Sequence, residues 1–144
     1  MLVLGWNVKP HGALYNDMMA SGSVRNAVMR AISEINEPLA LMLQATPSWQ
    51  IHEQEAENFK IKIIFEAFAD RSYKDCGALV SRSKTEAILD REQILTQVSQ
   101  ICQCGSITSI NKKILHLKID SICIHGDNPE SINVLPELRQ ILDQ

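Results

Sequence analysis

Val3-Leu4-Gly5-Trp6-Asn7-Val8-Lys9-Pro10-His11-Gly12 carries an apolar run straight into a polar loop marked by proline and glycine. Residues 3–8 predict a strand. The loop is expected to run on through Asn16, with a helix starting near Ser23. Val24, Ala27, Val28, Ala31, Ile32 and Ile35 then recur at helical spacing, and Asn36 and Pro38 end the pattern. Residues 39–43 are almost purely apolar, as a strand buried on both faces requires. Thr46-Pro47 is read as the opening of the next helix, with Trp49, His52, Ala56 and Phe59 on one face. Residues 61–69, rich in Ile and Phe, predict a third strand. This alternation of strand, loop and helix argues for an α/β fold with a parallel sheet.

The remainder continues the pattern less regularly. Residues 70–89 form the longest expected loop, and long loops are often functional. Asp90 and Gln93 have the spacing of a capping box before Ile94, Leu95, Val98, Ile101 and Cys102, and Gly105 closes that helix. Residues 107–110 and 114–117 are expected to be two short strands or one interrupted strand, and residues 121–125 a further strand. Asn128-Pro129 opens a last helix that Pro136 kinks or delays. Residues 1–144 read as a single domain, without repeat or low-complexity linker.

Composition excludes several function classes. The 144 residues carry a formal net charge of -3, which gives no electrostatic footprint for nucleic acid or an anionic membrane. No apolar run approaches the ~20 residues of a membrane helix, and the first residues lack the features of a signal peptide. Cys76, Cys102, Cys104 and Cys123 match neither a zinc knuckle nor a secreted disulfide framework. Buried or half-buried free thiols in a reducing cytoplasm are expected.

In parallel α/β folds ligands gather at the carboxyl ends of strands. Three such ends carry chemistry here. Lys9 and His11 offer a cation and a titratable ring, against the plainer reading of a solvated loop. Glu66 stands in the apolar run Phe65–Phe68, where a carboxylate must be paired or used. It is followed by Asp70 and Arg71, read as a mutual ion pair, and by Tyr73, read as a hydrogen-bond donor. His125 and Asp127 read as a base with its orienter or as metal ligands, although Asp127 or Asn128 could equally cap the next helix. His52, His116, Trp6 and Trp49 read as packing or surface residues, both tryptophans as core. No Walker, dinucleotide-binding, zincin or serine-hydrolase motif occurs.

VKPHGALYN at residues 8–16, EAFADRSY at 66–73, GALVSR at 77–82 and SICIHGDNP at 121–129 together resemble the LamB/YcsF family, which includes the A subunit of bacterial 5-oxoprolinase. The resemblance implies a distorted TIM-like (β/α) barrel akin to glycoside hydrolase/deacetylase barrels. It implies ATP-dependent opening of 5-oxo-L-proline to L-glutamate, with ATP as co-substrate and subunits B and C as partners. Carried onto this chain, His11, Glu66, His125 and Asp127 become the catalytic candidates. Lys9, Asp70, Arg71 and Tyr73 become the substrate-binding candidates, with Lys9 or Arg71 holding the substrate carboxylate.

Departures from the family pattern are equally plain. Cys76 replaces a usual acidic residue and Glu86 a usual glycine. The family's earlier D-x-G-E-like, C-G-x-H-A-G-D-like and A-H-P-like motifs are absent. The expectation is therefore a partial barrel lacking its first strands, inactive by itself, and either unstable alone or paired with itself as a homo-oligomer or with a complementary fragment. Two other readings stay open: a metal-dependent hydrolase or deacetylase using His11, Asp127 and His125 as ligands, and a non-catalytic remnant that acts only by association.

Overall fold

The computed structural model describes residues 6–127 and 129–143. Residues 3–5 of the first expected strand, and Asn128 at the expected start of the last helix, lie outside the described residues. The chain gathers into two compact units, one of residues up to 44 with 48–66, the other of 45–47 with residues from 67 onward.

In the first unit, β1 (Asn7–Val8), β2 (Ala40–Gln44) and β3 (Lys62–Phe68, of which 62–66 belong to this unit) lie side by side and parallel. The register sets Val8 beside Leu41 and Gln44 beside Glu66. Leu41 and Leu43 are fully buried, which is why β2 reads as an unbroken apolar run.

The expected loop after Val8 is instead mostly helix. α1 (Gly12–Ala20) begins at a glycine with φ +61 and buries Tyr15 and Met18. Pro10, Gly12 and Asn16 mask it in the sequence, whereas Ala13, Leu14, Met18 and Met19 are good helix formers. Ser21 ends α1 and caps α2 (Gly22–Ser33), its hydroxyl accepting from the Val24 N–H at 3.5 Å. α2 is rotated from the expected stripe: Arg25, Met29 and Ile32 are buried, while Ala27, Ala31 and Ile35 are exposed. The rotation follows from Arg25, whose Nε and Nη2 donate to Glu55 at 2.5 and 2.9 Å while Nη1 donates to the Met18 carbonyl. α3 (Trp49–Glu57) starts at Trp49 rather than at Thr46-Pro47, and it buries His52 and Ala56 as its pattern predicts. Trp6 is not core; it is 82% exposed.

In the second unit the chain continues past β3 into the long loop, pinned by bridges of Arg71 to Ile88 and of Tyr73 to Leu79. Gly77 is required there: it has φ +88, and a Cβ would stand 2.4 Å from Pro47 Cδ. α4 (Arg91–Cys104) starts with the expected capping box, the Gln93 N–H donating to Asp90 and the Asp90 N–H to the Gln93 side chain. It ends at Gly105 in the left-handed region. Ile94 and Val98 pack with Ala69, Val134 and Leu138 in one buried apolar cluster of this unit.

β4 (Ser106–Thr108) and β5 (Ile114–His116) form an antiparallel hairpin, so the two apolar runs there are separate strands and depart from the parallel pattern. β6 (Ser121–Cys123) follows β3 in the strand order, with the Ala69 N–H donating to the Cys123 carbonyl at 2.8 Å. The last helical stretch divides into α5 (Pro129–Asn133) and α6 (Leu135–Leu142), with Pro136 in the first turn of α6. Cys76, Cys102 and Cys104 are exposed and Cys123 half-buried, so three of the four thiols are not the buried groups expected.

Candidate functional site

A buried carboxylate anchors the chemistry of each unit. In the first unit it is Glu66, near the end of β3 and 1% exposed. Its Oε2 accepts from Lys9 Nζ at 2.6 Å and its Oε1 from the Tyr15 hydroxyl at 2.8 Å. β1 delivers Lys9 and α1 delivers Tyr15, so the run at residues 8–16 folds around this carboxylate. Both oxygens are engaged, as burial of a carboxylate demands. Sequence reasoning misses Tyr15. Its signal is its place in the loop-to-helix run, four residues after His11. His11 itself is exposed at the N-cap of α1 and makes no side-chain capping bond.

In the second unit the carboxylate is Asp70, 2% exposed, just after β3. Nδ1 of His125 lies 3.1 and 3.0 Å from its two oxygens, and the His125 backbone N–H donates to Oδ2 at 3.3 Å. Nδ1 carries the proton that this carboxylate holds, which leaves Nε2 as the basic nitrogen. The imidazole stacks on Phe68 with ring centres 5.5 Å apart and planes 11° from parallel. Its side chain is 28% exposed, enough for a small molecule to reach it.

Two expected pairings are corrected by this arrangement. Asp70 pairs with His125, not with Arg71. Arg71 is buried and directs Nη2 to the Val80 carbonyl at 2.7 Å and Nε to the Ala87 carbonyl at 3.3 Å. Burial, and then the charge of Arg82, depress its pKa from the usual arginine value. The orienter of His125 is likewise Asp70, not Asp127. Asp127 accepts from Arg82 Nη1 at 2.6 Å, and that bond holds its carboxyl below the ordinary aspartate range. Tyr73 is fully buried, and its hydroxyl oxygen accepts the Phe68 N–H at 2.8 Å. That bond holds the end of β3.

Gln97 is a second residue that sequence reasoning misses. From the buried face of α4 its Nε2 donates to the carbonyls of Phe68, Ala69 and Arg71 at 2.8, 3.2 and 3.0 Å. One amide thus fixes the turn that carries Asp70. Its signal is a polar residue inside the helical stripe Ile94, Val98, Ile101. Among the described residues no three His, Cys, Asp or Glu side chains gather as a metal-ligand set.

A sequence model of the LamB/YcsF family matches residues 6–144. The 5-oxoprolinase A subunit of Vibrio cholerae serotype O1 is 43% identical over 138 residues, 95% of this chain and 55% of that protein. Its namesake in Vibrio vulnificus is 43% identical over 136 residues, 94% of this chain and 54% of that protein. The one in Pseudomonas fluorescens is 39% identical over 138 residues, 95% and 55% respectively. A solved structure, the lactam utilization protein from Thermus thermophilus, superposes with a TM-score of 0.78 at 25% identity, covering 96% of this chain and 55% of that one. The chain spans about half the length of the curated relatives it matches. No helix among the described residues is long and apolar enough to cross a membrane.

Proposed function

The chain belongs to the LamB/YcsF family, and from that premise we propose that it acts as the A-type component of an ATP-dependent 5-oxoprolinase. Its substrate is 5-oxo-L-proline, its product L-glutamate, its partners subunits B and C, and its compartment the cytoplasm. Its parallel sheet is a segment of a distorted TIM-like barrel. The names of the relatives supply the substrate class.

The observation that carries the reading is the Asp70–His125 pair. Opening a lactam requires a proton to leave the attacking water and another to reach the departing ring nitrogen. An imidazole with Nδ1 held by a buried carboxylate can do both through Nε2, because the carboxylate fixes the tautomer and stabilises the imidazolium that forms. Phe68 keeps the ring in one plane. Glu66, by contrast, is neutralised by Lys9 and capped by Tyr15. Its role is to hold those two side chains, and Lys9 is accordingly not the carboxylate grip. ATP supplies the free energy for amide cleavage. The sequence has no Walker-type phosphate loop, so no ATP step is assigned to these side chains.

The test is ATP-dependent release of L-glutamate from 5-oxo-L-proline by this chain supplied with subunits B and C. Turnover that His125→Gln abolishes is the expected result. Turnover indifferent to His125→Gln, or none where a full-length relative with the same partners is active, contradicts the reading.

A further inference from the structure

Beside the Asp70–His125 pair, and wholly within the second unit, lies an arrangement that the lactam reading leaves unused. Arg82, from the long loop, reaches across 45 residues of sequence to Asp127, from the turn after β6. The two side chains are 45% and 60% exposed. The contact uses one guanidinium nitrogen, Nη1, and one carboxylate oxygen. An arginine fork is built to grip a carboxylate through two parallel N–H donors. Here it makes a one-point contact with a solvated partner, an ion pair of the kind that contributes little to folding.

The surroundings favour an anion. Arg71 lies close enough for its charge to interact with both Arg82 and Asp127. Asp70 is committed to His125, which leaves Asp127 as the carboxylate paired with Arg82. Gly126 separates His125 from Asp127, and a Cβ there would meet nothing within 4 Å. Open space therefore adjoins the turn that links the imidazole to the ion pair.

We infer that Arg82 is the substrate-carboxylate grip and that Asp127 is a resident stand-in which an incoming carboxylate displaces. The ligand class is a small monocarboxylate lactam. Its carboxylate takes both donors of the Arg82 fork, and its amide then lies toward His125. Arg82 is thus a specificity residue, choosing acids over neutral lactams, and it takes no part in proton transfer. This rests on the lactam reading for the ring but not for the carboxylate, and the experiment separates the two.

Isothermal titration calorimetry of the chain with 5-oxo-L-proline, with 2-pyrrolidinone (the same ring without the acid) and with acetate (the acid without the ring) tests it. Both substituted side chains are largely solvated, so thermal melts of the variants should overlay the wild type. The expected result is binding of 5-oxo-L-proline that Arg82→Gln weakens about 10- to 100-fold, with 2-pyrrolidinone unaffected. Asp127→Asn should tighten binding a few-fold by removing the competitor, whereas a merely structural ion pair would lose affinity with either change. If 5-oxo-L-proline binds equally well to Arg82→Gln, the grip is overturned and the lactam reading stands. If acetate and 5-oxo-L-proline bind alike and both depend on Arg82, the grip stands and the lactam reading fails. If no carboxylate binds, both fail.

Discussion

Glu66 and Asp70 sit four residues apart in one run of chain, both almost completely buried, yet their partners differ in kind. Glu66 meets a permanent cation and a phenol, Lys9 and Tyr15, inside the first unit. Asp70 meets an imidazole, His125, inside the second. A carboxylate whose two oxygens are taken by an ammonium and a phenol is fully occupied, so it orders structure. A carboxylate bound to an imidazole orients a ring that still reaches solvent. Burial alone does not separate the two carboxylates; the identity of the partner does.

The largest effect expected from this contrast is on turnover. With subunits B and C present, His125→Asn, whose side-chain amide can still donate to Asp70, should lower kcat by about 100- to 10,000-fold, the range of a lost general acid–base, with a smaller shift of the urea midpoint than Glu66→Ala gives. A comparable loss of stability would erase the distinction between the two carboxylates. Next, Glu66→Ala should cost about 3 kcal/mol in urea unfolding, because it strips Lys9 and Tyr15 of a buried partner. An unchanged midpoint would mean that the first pair is ornamental. Third, Gln97→Leu leaves the carbonyls of Phe68, Ala69 and Arg71 without their shared donor and should cost about 2 kcal/mol. It should also loosen the turn that aims Asp70, visible as faster amide exchange at residues 69–72. Protection unchanged there would show that the turn stands without Gln97.

The smallest effect concerns a buried histidine of the first unit, His52. Among the described residues the buried Nδ1 of His52 finds no hydrogen-bond partner, and burial followed by the Arg25 charge lowers its pKa from 6.5, with Glu55 opposing. A folded-state pKa below the unfolded value means that the unfolded chain binds the proton first. Stability is then complete above about pH 6.5 and falls as the pH drops below it. Thermal melts should decline modestly from about pH 7 to about pH 5.5, and His52→Leu should flatten that decline. The Glu55 pKa is itself lowered by its bond to Arg25, so its contribution is lost only at lower pH. An identical slope in His52→Leu would assign the decline elsewhere.

Much of the fold is legible in the sequence because its signals are local. β2 and β3 announce themselves as apolar runs, and α4 carries its own cap at Asp90 and its own stop at Gly105. α1 is hidden because Pro10, Gly12 and Asn16 punctuate it as a loop would, although its buried residues, Tyr15 and Met18, are only three positions apart. The α2 stripe is misplaced because apolar spacing alone cannot foresee that Arg25 turns inward to Glu55.

The site is legible as a set of residues but not as pairs. Local reading matches Asp70 with Arg71 and His125 with Asp127. Neighbours at a strand end point to opposite sides, and the real partner of Asp70 lies 55 residues away. Glu66 stands out in the sequence as a carboxylate needing a partner, and so does Lys9 as a cation, yet nothing in the sequence joins them across 57 positions. Arg82 lies in plain view inside the GALVSR stretch, but its partner becomes visible only in three dimensions.

The central claim is that Asp70 with His125, and not Glu66 with Lys9, handles protons. The direct measurement is kcat for ATP-dependent glutamate release, with subunits B and C and normalised to folded protein, for Asp70→Asn and Glu66→Gln side by side. Asp70→Asn is expected to lose about 100-fold or more, while Glu66→Gln keeps most of its turnover per folded molecule and loses stability instead. Full turnover in Asp70→Asn together with a collapse in Glu66→Gln would contradict the claim.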